Sequence, residues 1–178
     1  MRIGLFYASN TGETKEVAAQ LKNQFGPKLI ERFENIEKIK PHELTGYDVL
    51  VLGISTWDVG DLPYDWALFY DSLDNYDFSG TKVVFFGLGD QVGYPETFLD
   101  AMGTLYRGFL RRGATGKLGF WSTADYQFSN SLAVYKDKFC GLAIDQDNQP
   151  SYTSNRLRTW CMQLKKELQI VRLCEAVT

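Results

Sequence analysis

Apolar runs of strand length alternate with helical patterns along most of the chain. Six strand-like runs are mainly apolar, at positions 3–7, 29–33, 49–54, 83–86, 118–121 and 139–144. Strands buried on both faces of a parallel sheet have this composition. Between most of these runs, apolar side chains recur on one helical face, most clearly at Phe98, Met102, Leu105 and Phe109. The pattern therefore predicts a doubly wound α/β fold with three layers, in which helices cover both faces of a parallel sheet.

The chain contains one irregular stretch, from about 122 to 138, which is polar and aromatic and separates the last two strand-like runs. No repeat, low-complexity segment or linker interrupts the rest. We therefore expect a single domain over 1–178, with an insertion at about 122–138 and a frayed tail at 169–178.

Three polar loops follow strand-like runs, at 8–14, 55–62 and 87–95. In doubly wound sheets, ligands bind beyond the carboxyl ends of the strands. The first loop places the hydroxyls of Ser9, Thr11 and Thr14 at the start of a helix, where backbone N–H groups can hold a phosphate. The loop fits neither the nucleotide-hydrolase pattern G-x-x-x-x-G-K-[ST] nor the dinucleotide-binding pattern G-x-G-x-x-G. A hydroxyl-rich helix cap without a ligand is the alternative.

Each of the other two loops carries an aromatic side chain, Trp57 in the second and Tyr94 in a third loop that contains three glycines. Either aromatic alone is more often a packing residue. Glycines let the backbone approach a flat ring closely. Two aromatics on neighbouring loops beside a phosphate site together predict a phosphorylated planar cofactor.

Composition and charge narrow the function further. The 178 residues are 44% hydrophobic, and the net charge is -3. Between Ser55 and Asp100 stand nine acidic residues against Lys82 alone. This acidic side disfavours nucleic acid, suits steering of a charged partner, and predicts a monomer because copies would repel one another. The absence of a span-length apolar run or a signal sequence, together with three widely spaced cysteines, predicts a cytoplasmic protein without membrane insertion.

The three loops resemble those of flavodoxins. Ser9-Asn10-Thr11-Gly12-Glu13-Thr14 resembles the family's [ST]-x-T-G-x-T phosphate loop, Thr56-Trp57-Asp58-Val59-Gly60 its second flavin loop, and Gly87 to Tyr94 its third. The stretch 122–138 is similar to the insertion of long-chain members. The resemblance implies a five-stranded sheet of order 2-1-3-4-5, its last strand split by the insertion. It also implies one noncovalent FMN and a low-potential one-electron carrier, not an enzyme, which shuttles between semiquinone and hydroquinone.

The resemblance also implies roles for individual residues. Trp57 and Tyr94 would cover the two faces of the isoalloxazine, and the Asp58 carbonyl would receive the flavin N5–H when the Asp58–Val59 peptide flips. A positive φ at Val59 would be costly because its side chain is β-branched. The implied cofactor-binding residues are Ser9, Asn10, Thr11, Gly12, Glu13, Thr14, Thr56, Trp57, Asp58, Val59, Gly60, Leu88, Gly89, Asp90, Gln91, Tyr94 and Asp147.

By the same resemblance, the candidate partners are redox proteins: ferredoxin-NADP reductase, a 2-oxoacid oxidoreductase, photosystem I or nitrogenase reductase. The insertion is either a docking surface, with Tyr126 and Phe128 as contacts, or a loop pinned by its own aromatics. Two other functions stay open. An FMN-dependent NAD(P)H reductase needs an open flavin face, which Trp57 and Tyr94 would obstruct. A non-redox phosphate-binding signalling module needs acids after the first strand, where Ala8 and Ser9 stand.

Overall fold

The computed structural model describes residues 1–170. Four long strands and four helices alternate along most of the chain. The strands are β1 (Ile3–Tyr7), β2 (Arg32–Asn35), β3 (Val49–Ser55) and β4 (Lys82–Leu88); the helices are α1 (Glu13–Phe25), α2 (Tyr64–Ser72), α3 (Asp100–Arg111) and α4 (Thr153–Glu167). Between α3 and α4 lie four short strands, β5 (Trp121–Ser122), β6 (Val134–Tyr135), β7 (Lys138–Phe139) and β8 (Leu142–Ile144). Short 3₁₀ helices occupy Ile36–Lys38, Pro41–Leu44, Leu73–Asn75 and Pro150–Tyr152.

The main sheet has five parallel strands in the order β2-β1-β3-β4-β8. This confirms the predicted doubly wound α/β fold. Neighbouring strands end at matching positions, since Ser55 is the register partner of Leu88 and Leu88 that of Ile144. The loops that follow these strands therefore emerge side by side at one edge of the sheet.

Both faces of the sheet are buried, as the apolar strands require. On one face, side chains such as Phe6, Leu52 and Phe85 pack with α2 and α3. On the other face, the alternate positions, such as Leu5 and Val84, pack with α1 and α4. Because successive strand residues point to opposite faces, each central strand must be apolar at every position.

The second strand lies three residues later than the apolar run at 29–33 predicted. The chain first turns after α1, where the Leu29 N–H donates to the Gly26 carbonyl at 2.9 Å, and Leu29 is exposed. β2 is an edge strand with only partly buried side chains. An edge position does not require a continuous apolar sequence, so the hydrophobic pattern misplaced this strand.

Two separate segments share the fifth position of the sheet. Thr115 forms a parallel bridge with Lys82 at one end of β4, and β8 pairs with Phe86 to Leu88 at the other. The run at 118–121 was wrongly assigned to the main sheet, because only its last residue enters a strand, β5. The run at 139–144 is divided between β7 and β8. Strands β5, β7 and β6 form a small antiparallel sheet, which the insertion builds beside the main one.

The aromatic side chains of the insertion face inward. Tyr126 is buried, and its ring centroid lies 5.2 Å from that of Phe139. Phe128 is half-buried, with ring centroids 5.7 Å from Phe98 and 5.3 Å from Phe139. These contacts favour a loop pinned by its own aromatics over partner contacts at Tyr126 and Phe128.

The two cysteines within residues 1–170 are buried free thiols. Burial raises the pKa of Cys140 to about 12 and that of Cys161 to about 11, so neither forms a reactive thiolate at neutral pH. Cys174 and nearly all of the predicted frayed tail, from 171 onward, lie outside the described residues. Across the part that is described, no helix combines the length and apolar character needed to cross a membrane.

Candidate cofactor-binding cleft

A cleft of about 460 Å³ opens at the carboxyl ends of β1, β3, β4 and β8. This volume suits a cofactor-sized ligand. All three loops predicted from the sequence contribute to it. The lining residues are Thr11, Glu13, Thr14, Ser55, Thr56, Trp57, Asp58, Leu88, Gly89, Asp90, Tyr94, Gln146 and Asp147.

The first loop closes on itself before α1 begins. The Ser9 hydroxyl accepts hydrogen bonds from the backbone N–H groups of Gly12 at 3.1 Å and Lys15 at 3.2 Å. Gly12 has a φ of 102°, in the left-handed region that favours glycine. Gly12 has no side chain to cap the helix, and Ser9 takes up the Lys15 N–H of the first turn. The N–H groups of Glu13 and Thr14 are therefore the first-turn donors available to an anion, and the helix dipole favours its charge.

The second loop holds the one orphaned polar atom of the cleft wall within the described chain. Thr56 Oγ1 is buried and has no hydrogen-bond partner among residues 1–170. The Thr56 N–H, in contrast, donates to the Leu88 carbonyl at 2.9 Å. A buried hydroxyl without a partner costs free energy, which a ligand with a polar edge would recover. Thr56 thus fits a site for a bound cofactor.

Trp57 and Asp61 close the second loop into a tight turn. The Trp57 N–H donates to the Asp61 carbonyl at 3.1 Å, and the Asp61 N–H donates to the Trp57 carbonyl at 2.8 Å. Inside the turn, Asp58 has a φ of 44° and Gly60 a φ of 98°. The left-handed positions of this turn are therefore Asp58 and Gly60, and not Val59. Aspartate tolerates this region better than a β-branched residue does.

The third loop is organised by the Asp90 carboxylate. Its Oδ1 accepts hydrogen bonds from the N–H groups of Gly93 at 2.7 Å and Val92 at 3.0 Å, and from Asn148 Nδ2 at 2.8 Å. These bonds, first of all the one from Gly93, lower the pKa of Asp90. Tyr94 is 51% exposed at the mouth of the cleft, although it is a large aromatic side chain.

Six predicted site residues do not line the cleft: Ser9, Asn10, Gly12, Val59, Gly60 and Gln91. Ser9, Gly12 and Gly60 shape the loops from within. Val59 is 78% exposed and is not part of the cleft wall. Gln91 is only 2% exposed, and its side chain bonds to Asp145 and to the insertion.

Two lining residues were missed by the sequence analysis, Ser55 and Gln146. Each directly adjoins a residue that was predicted, Thr56 or Asp147, so loop position was the available signal. Asp147 does lie in the cleft wall. Partial burial, Asp90 and Asp145 raise its pKa.

The charge of the cleft wall is negative throughout. Four acidic side chains line it, namely Glu13, Asp58, Asp90 and Asp147, and no lysine or arginine from residues 1–170 does. A phosphate must therefore be held here by N–H groups, hydroxyls and the helix dipole. Any additional negative charge on a bound ligand would be destabilised by these carboxylates.

A larger concavity of about 790 Å³ lies elsewhere, between the carboxyl-terminal ends of α2 and α3. Several of its polar groups bond to one another, although the buried Nε of Arg112 has no hydrogen-bond partner among residues 1–170. Arg112 donates to the carboxylate of Asp74 and to the carbonyls of Gly108 and Tyr70, and Arg111 donates to the Tyr70 hydroxyl. The concavity lacks strand-end loops, and the smaller cleft is the better candidate site.

The fold and the cleft define a doubly wound α/β protein whose strand-end loops form one cofactor-sized cleft. The flavodoxin family model matches residues 5–160. The chain is 45% identical over 166 residues to the flavodoxin of Synechococcus elongatus, covering 93% of this chain and 97% of that one. It is 39% identical over 170 residues to flavodoxin 2 of Escherichia coli, covering 94% and 97%. The chain belongs to the flavodoxin family.

A solved structure supports the same assignment. The structure of Fusobacterium nucleatum flavodoxin bound to flavin mononucleotide superimposes with a TM-score of 0.86 at 30% identity, covering 93% of this chain and 98% of that one. Flavodoxins are electron-transfer proteins rather than enzymes. The sequence prediction of an electron carrier is therefore confirmed.

Proposed function

We propose that this chain carries single electrons on an FMN bound noncovalently in the cleft at the carboxyl ends of the strands. The observation that carries the proposal is the convergence of the α1 N-terminus, the orphaned Thr56 hydroxyl and two aromatic side chains in one cleft of about 460 Å³. The solved F. nucleatum flavodoxin, which is bound to flavin mononucleotide, agrees with the choice of cofactor.

Each loop binds a different part of the cofactor. The 9–14 loop takes the phosphate, with Thr11 and Thr14 in the cleft wall and Ser9 and Gly12 holding the loop shape. Trp57 and Tyr94 cover the two faces of the ring system. The edges of the ring system are surrounded by Thr56, Asp58, Leu88, Gly89 and Asp90. Asp147 lies towards the ribityl chain. FMN supplies the redox chemistry, while the protein binds, orients and partly shields it.

The acidic cleft wall favours a low reduction potential. Added negative charge on the cofactor would lie among Glu13, Asp58, Asp90 and Asp147 without a compensating lysine or arginine in the described wall. Each tenfold shift in a one-electron equilibrium corresponds to about 59 mV. A few nearby carboxylates therefore have a large effect on the potential.

The two other functions considered from the sequence are less consistent with the site. A hydride-accepting reductase needs an open cofactor face, but Trp57 and Tyr94 both line the cleft and are the aromatics proposed to cover the two faces. A phosphoacceptor module needs a carboxylate at the end of β1, where buried Ala8 and half-buried Ser9 follow the strand.

We further propose a monomeric, cytoplasmic, single-domain flavodoxin of the long-chain type, with 122–138 as the insertion. Its partners are redox proteins, with ferredoxin-NADP reductase, a 2-oxoacid oxidoreductase, photosystem I and nitrogenase reductase as the candidates. The acidic rim and the exposed side chains of Val59 and Tyr64 beside the cleft support docking of a partner that has a basic surface with an apolar centre.

An anaerobic reductive titration of the purified protein, loaded with FMN, tests this function. We expect a bound flavin spectrum that is bleached in two separate one-electron steps, the second at low potential. Reduction in one two-electron step with rapid NADPH turnover would favour the reductase. Failure to bind FMN would contradict the assignment of all three loops.

A further inference from the structure

Asp145 is a fully buried carboxylate next to the cleft, and no part of the proposed function uses it. It directly follows β8 and is 0% exposed. The next two residues, Gln146 and Asp147, line the cleft, but Asp145 itself does not. A buried carboxylate must be satisfied by strong hydrogen bonds.

Two residues supply these bonds. Asp145 Oδ2 accepts from the Gln91 backbone N–H at 3.2 Å and from Gln91 Nε2 at 2.7 Å. Asp145 Oδ1 accepts from the Asn148 backbone N–H at 2.9 Å, and Asn148 Nδ2 lies 3.1 and 3.0 Å from the two oxygens. Every partner is an N–H donor, which is the set that an ionised carboxylate requires.

These bonds attach the third loop to the turn that follows β8. Asn148 Nδ2 also donates to Asp90 Oδ1, the oxygen that organises residues Asp90 to Gly93. Gln91 stands between Asp90 and Tyr94, which both line the cleft. The Asp145 carboxylate therefore holds this loop at Gln91 directly and at Asp90 through Asn148.

The orientation of the Gln91 amide is fixed at both ends. Nε2 donates to Asp145, while Oε1 accepts from the Gln127 N–H at 2.6 Å. Only one orientation of the amide satisfies both partners. The loop is thus held between the insertion and the turn after β8.

We infer that Asp145 is a positioning residue of the cleft, whose buried carboxylate fixes the third loop so that Asp90 and Tyr94 face the cofactor. This inference rests on the proposed FMN function, because it assigns Asp145 its role in cofactor binding. Asp145 acts through Gln91 and Asn148 and is not itself part of the cleft wall.

A double-mutant cycle tests the inference with Asp145→Asn, Gln91→Met and the double variant. Asp145→Asn replaces an acceptor oxygen with an amide that faces N–H donors. Gln91→Met keeps the size of the side chain, and every charge, but removes its hydrogen bonds. Asp125→Asn is the control, since it removes an exposed carboxylate beside Tyr126 in the insertion. The readouts are the FMN dissociation constant by fluorescence titration and amide hydrogen exchange of the apoprotein.

We expect each single variant to weaken FMN binding about tenfold, and the double variant to weaken it about tenfold rather than a hundredfold, because both act on one set of bonds. In the Asp145→Asn apoprotein, the backbone N–H of Gln91 should exchange at least tenfold faster than in the wild type, while the backbone N–H groups of β3 stay protected. A merely destabilised protein would lose protection in β3 as well. The control should bind FMN like the wild type.

Two results would overturn the inference. One is FMN binding by Asp145→Asn within twofold of the wild type, with unchanged exchange at Gln91. The other is an additive, hundredfold loss in the double variant. If Asp145→Asn fails to fold, Gln91→Met alone decides, since unchanged FMN binding there removes the link. If the wild type binds no FMN, the proposed function fails, but the exchange experiment still tests the Asp145 bonds separately.

Discussion

The indole Nε1 of Trp57 donates a hydrogen bond to Ser55 Oγ at 2.8 Å, and both residues line the cleft. The last residue of β3 thereby sets the orientation of the ring proposed to cover one face of the cofactor. Losing one such neutral hydrogen bond costs about 1 kcal/mol, or roughly fivefold in a binding constant. We expect Ser55→Ala to weaken FMN binding by about this factor, as measured by fluorescence titration.

Trp57→Phe provides the control for this prediction. Phenylalanine lacks the ring N–H, so Ser55→Ala should have no further effect in the Trp57→Phe background. An equal loss in both backgrounds would show that Ser55 acts in another way than through the indole.

Gly60 is constrained by both its backbone and its neighbours. It has a φ of 98°, and an added Cβ would lie 3.1 Å from the side chain of Asp100. Gly80 has a similar φ of 87°, but nothing lies within 4 Å of an added Cβ. Alanine in the left-handed region costs about 1–2 kcal/mol. We expect Gly80→Ala to show this cost in urea unfolding of the apoprotein, and Gly60→Ala to exceed it.

Only Gly60→Ala should weaken FMN binding, because Gly60 lies in the second loop and Gly80 lies before β4 at the far end of the sheet. Equal unfolding free energies for the two variants would show that the Asp100 side chain yields to the added methyl group.

Asp100, the first residue of α3, makes stability depend on pH. It is buried, its Oδ1 accepts from the Leu132 N–H at 2.6 Å, and burial raises its pKa. Because its pKa is higher in the folded state than in the unfolded state, its stabilising contribution is complete below the unfolded pKa. That contribution is lost as the pH rises through the folded pKa.

Asp100→Asn should remove this loss, since the amide oxygen can still accept from Leu132. We expect the variant to gain unfolding free energy relative to the wild type as the pH rises above the ordinary pKa of an aspartate, as measured by urea unfolding of the apoprotein. Asp125→Asn is the exposed control. A difference between Asp100→Asn and the wild type that is independent of pH would contradict the prediction.

Arg156 is a buried cation held between two aromatic rings. It is 5% exposed, and its Cζ lies 4.3 Å from the ring centroid of Tyr126 and 5.2 Å from that of Tyr152. Its Nη2 donates to Gln149 Oε1 at 2.6 Å. We expect Arg156→Ala to reduce the unfolding free energy by about 2–3 kcal/mol, because it removes packing, cation–π contacts and a hydrogen bond.

Arg158 is exposed on the same helix and serves as the matched control. Arg158→Ala should change the unfolding free energy by no more than about 0.5 kcal/mol. Both values come from urea unfolding under the same conditions. A similar small change for Arg156→Ala would show that the two rings repack without the guanidinium.

The hydrophobic pattern predicted the central strands well and the edges of the sheet poorly. β1, β3 and β4 are buried on both faces, so their sequences are apolar at nearly every position. β2 is half-exposed, and its sequence, Arg-Phe-Glu-Asn, has no strong strand signal. β8 has only three residues and follows Gly141, whose added Cβ would lie 2.3 Å from the Phe85 carbonyl oxygen. That close approach is a tertiary constraint that local sequence does not contain.

The site was predictable where its chemistry is local. The first loop could be identified because glycine, hydroxyls and a helix start stand together in sequence. The inward orientation of the Gln91 side chain could not be predicted from the sequence. Its partners, Asp145 and Gln127, are distant in sequence and come close to it only in the folded chain. For the same reason, the orphaned hydroxyl of Thr56 was visible only in the structure.

Because it shares the fifth position of the sheet and has only three residues, we expect β8 to open locally before the central strands do. It is held to the rest of the sheet only through its pairing with the end of β4, and the chain reaches it after the whole excursion of the insertion. Its side chains are buried, but releasing a three-residue edge strand costs less free energy than unfolding the whole sheet. Since Asp145 follows β8 directly, release of this short strand would free the third loop as well. Cofactor exchange then needs only a local opening at one corner of the molecule, while the central strands stay folded.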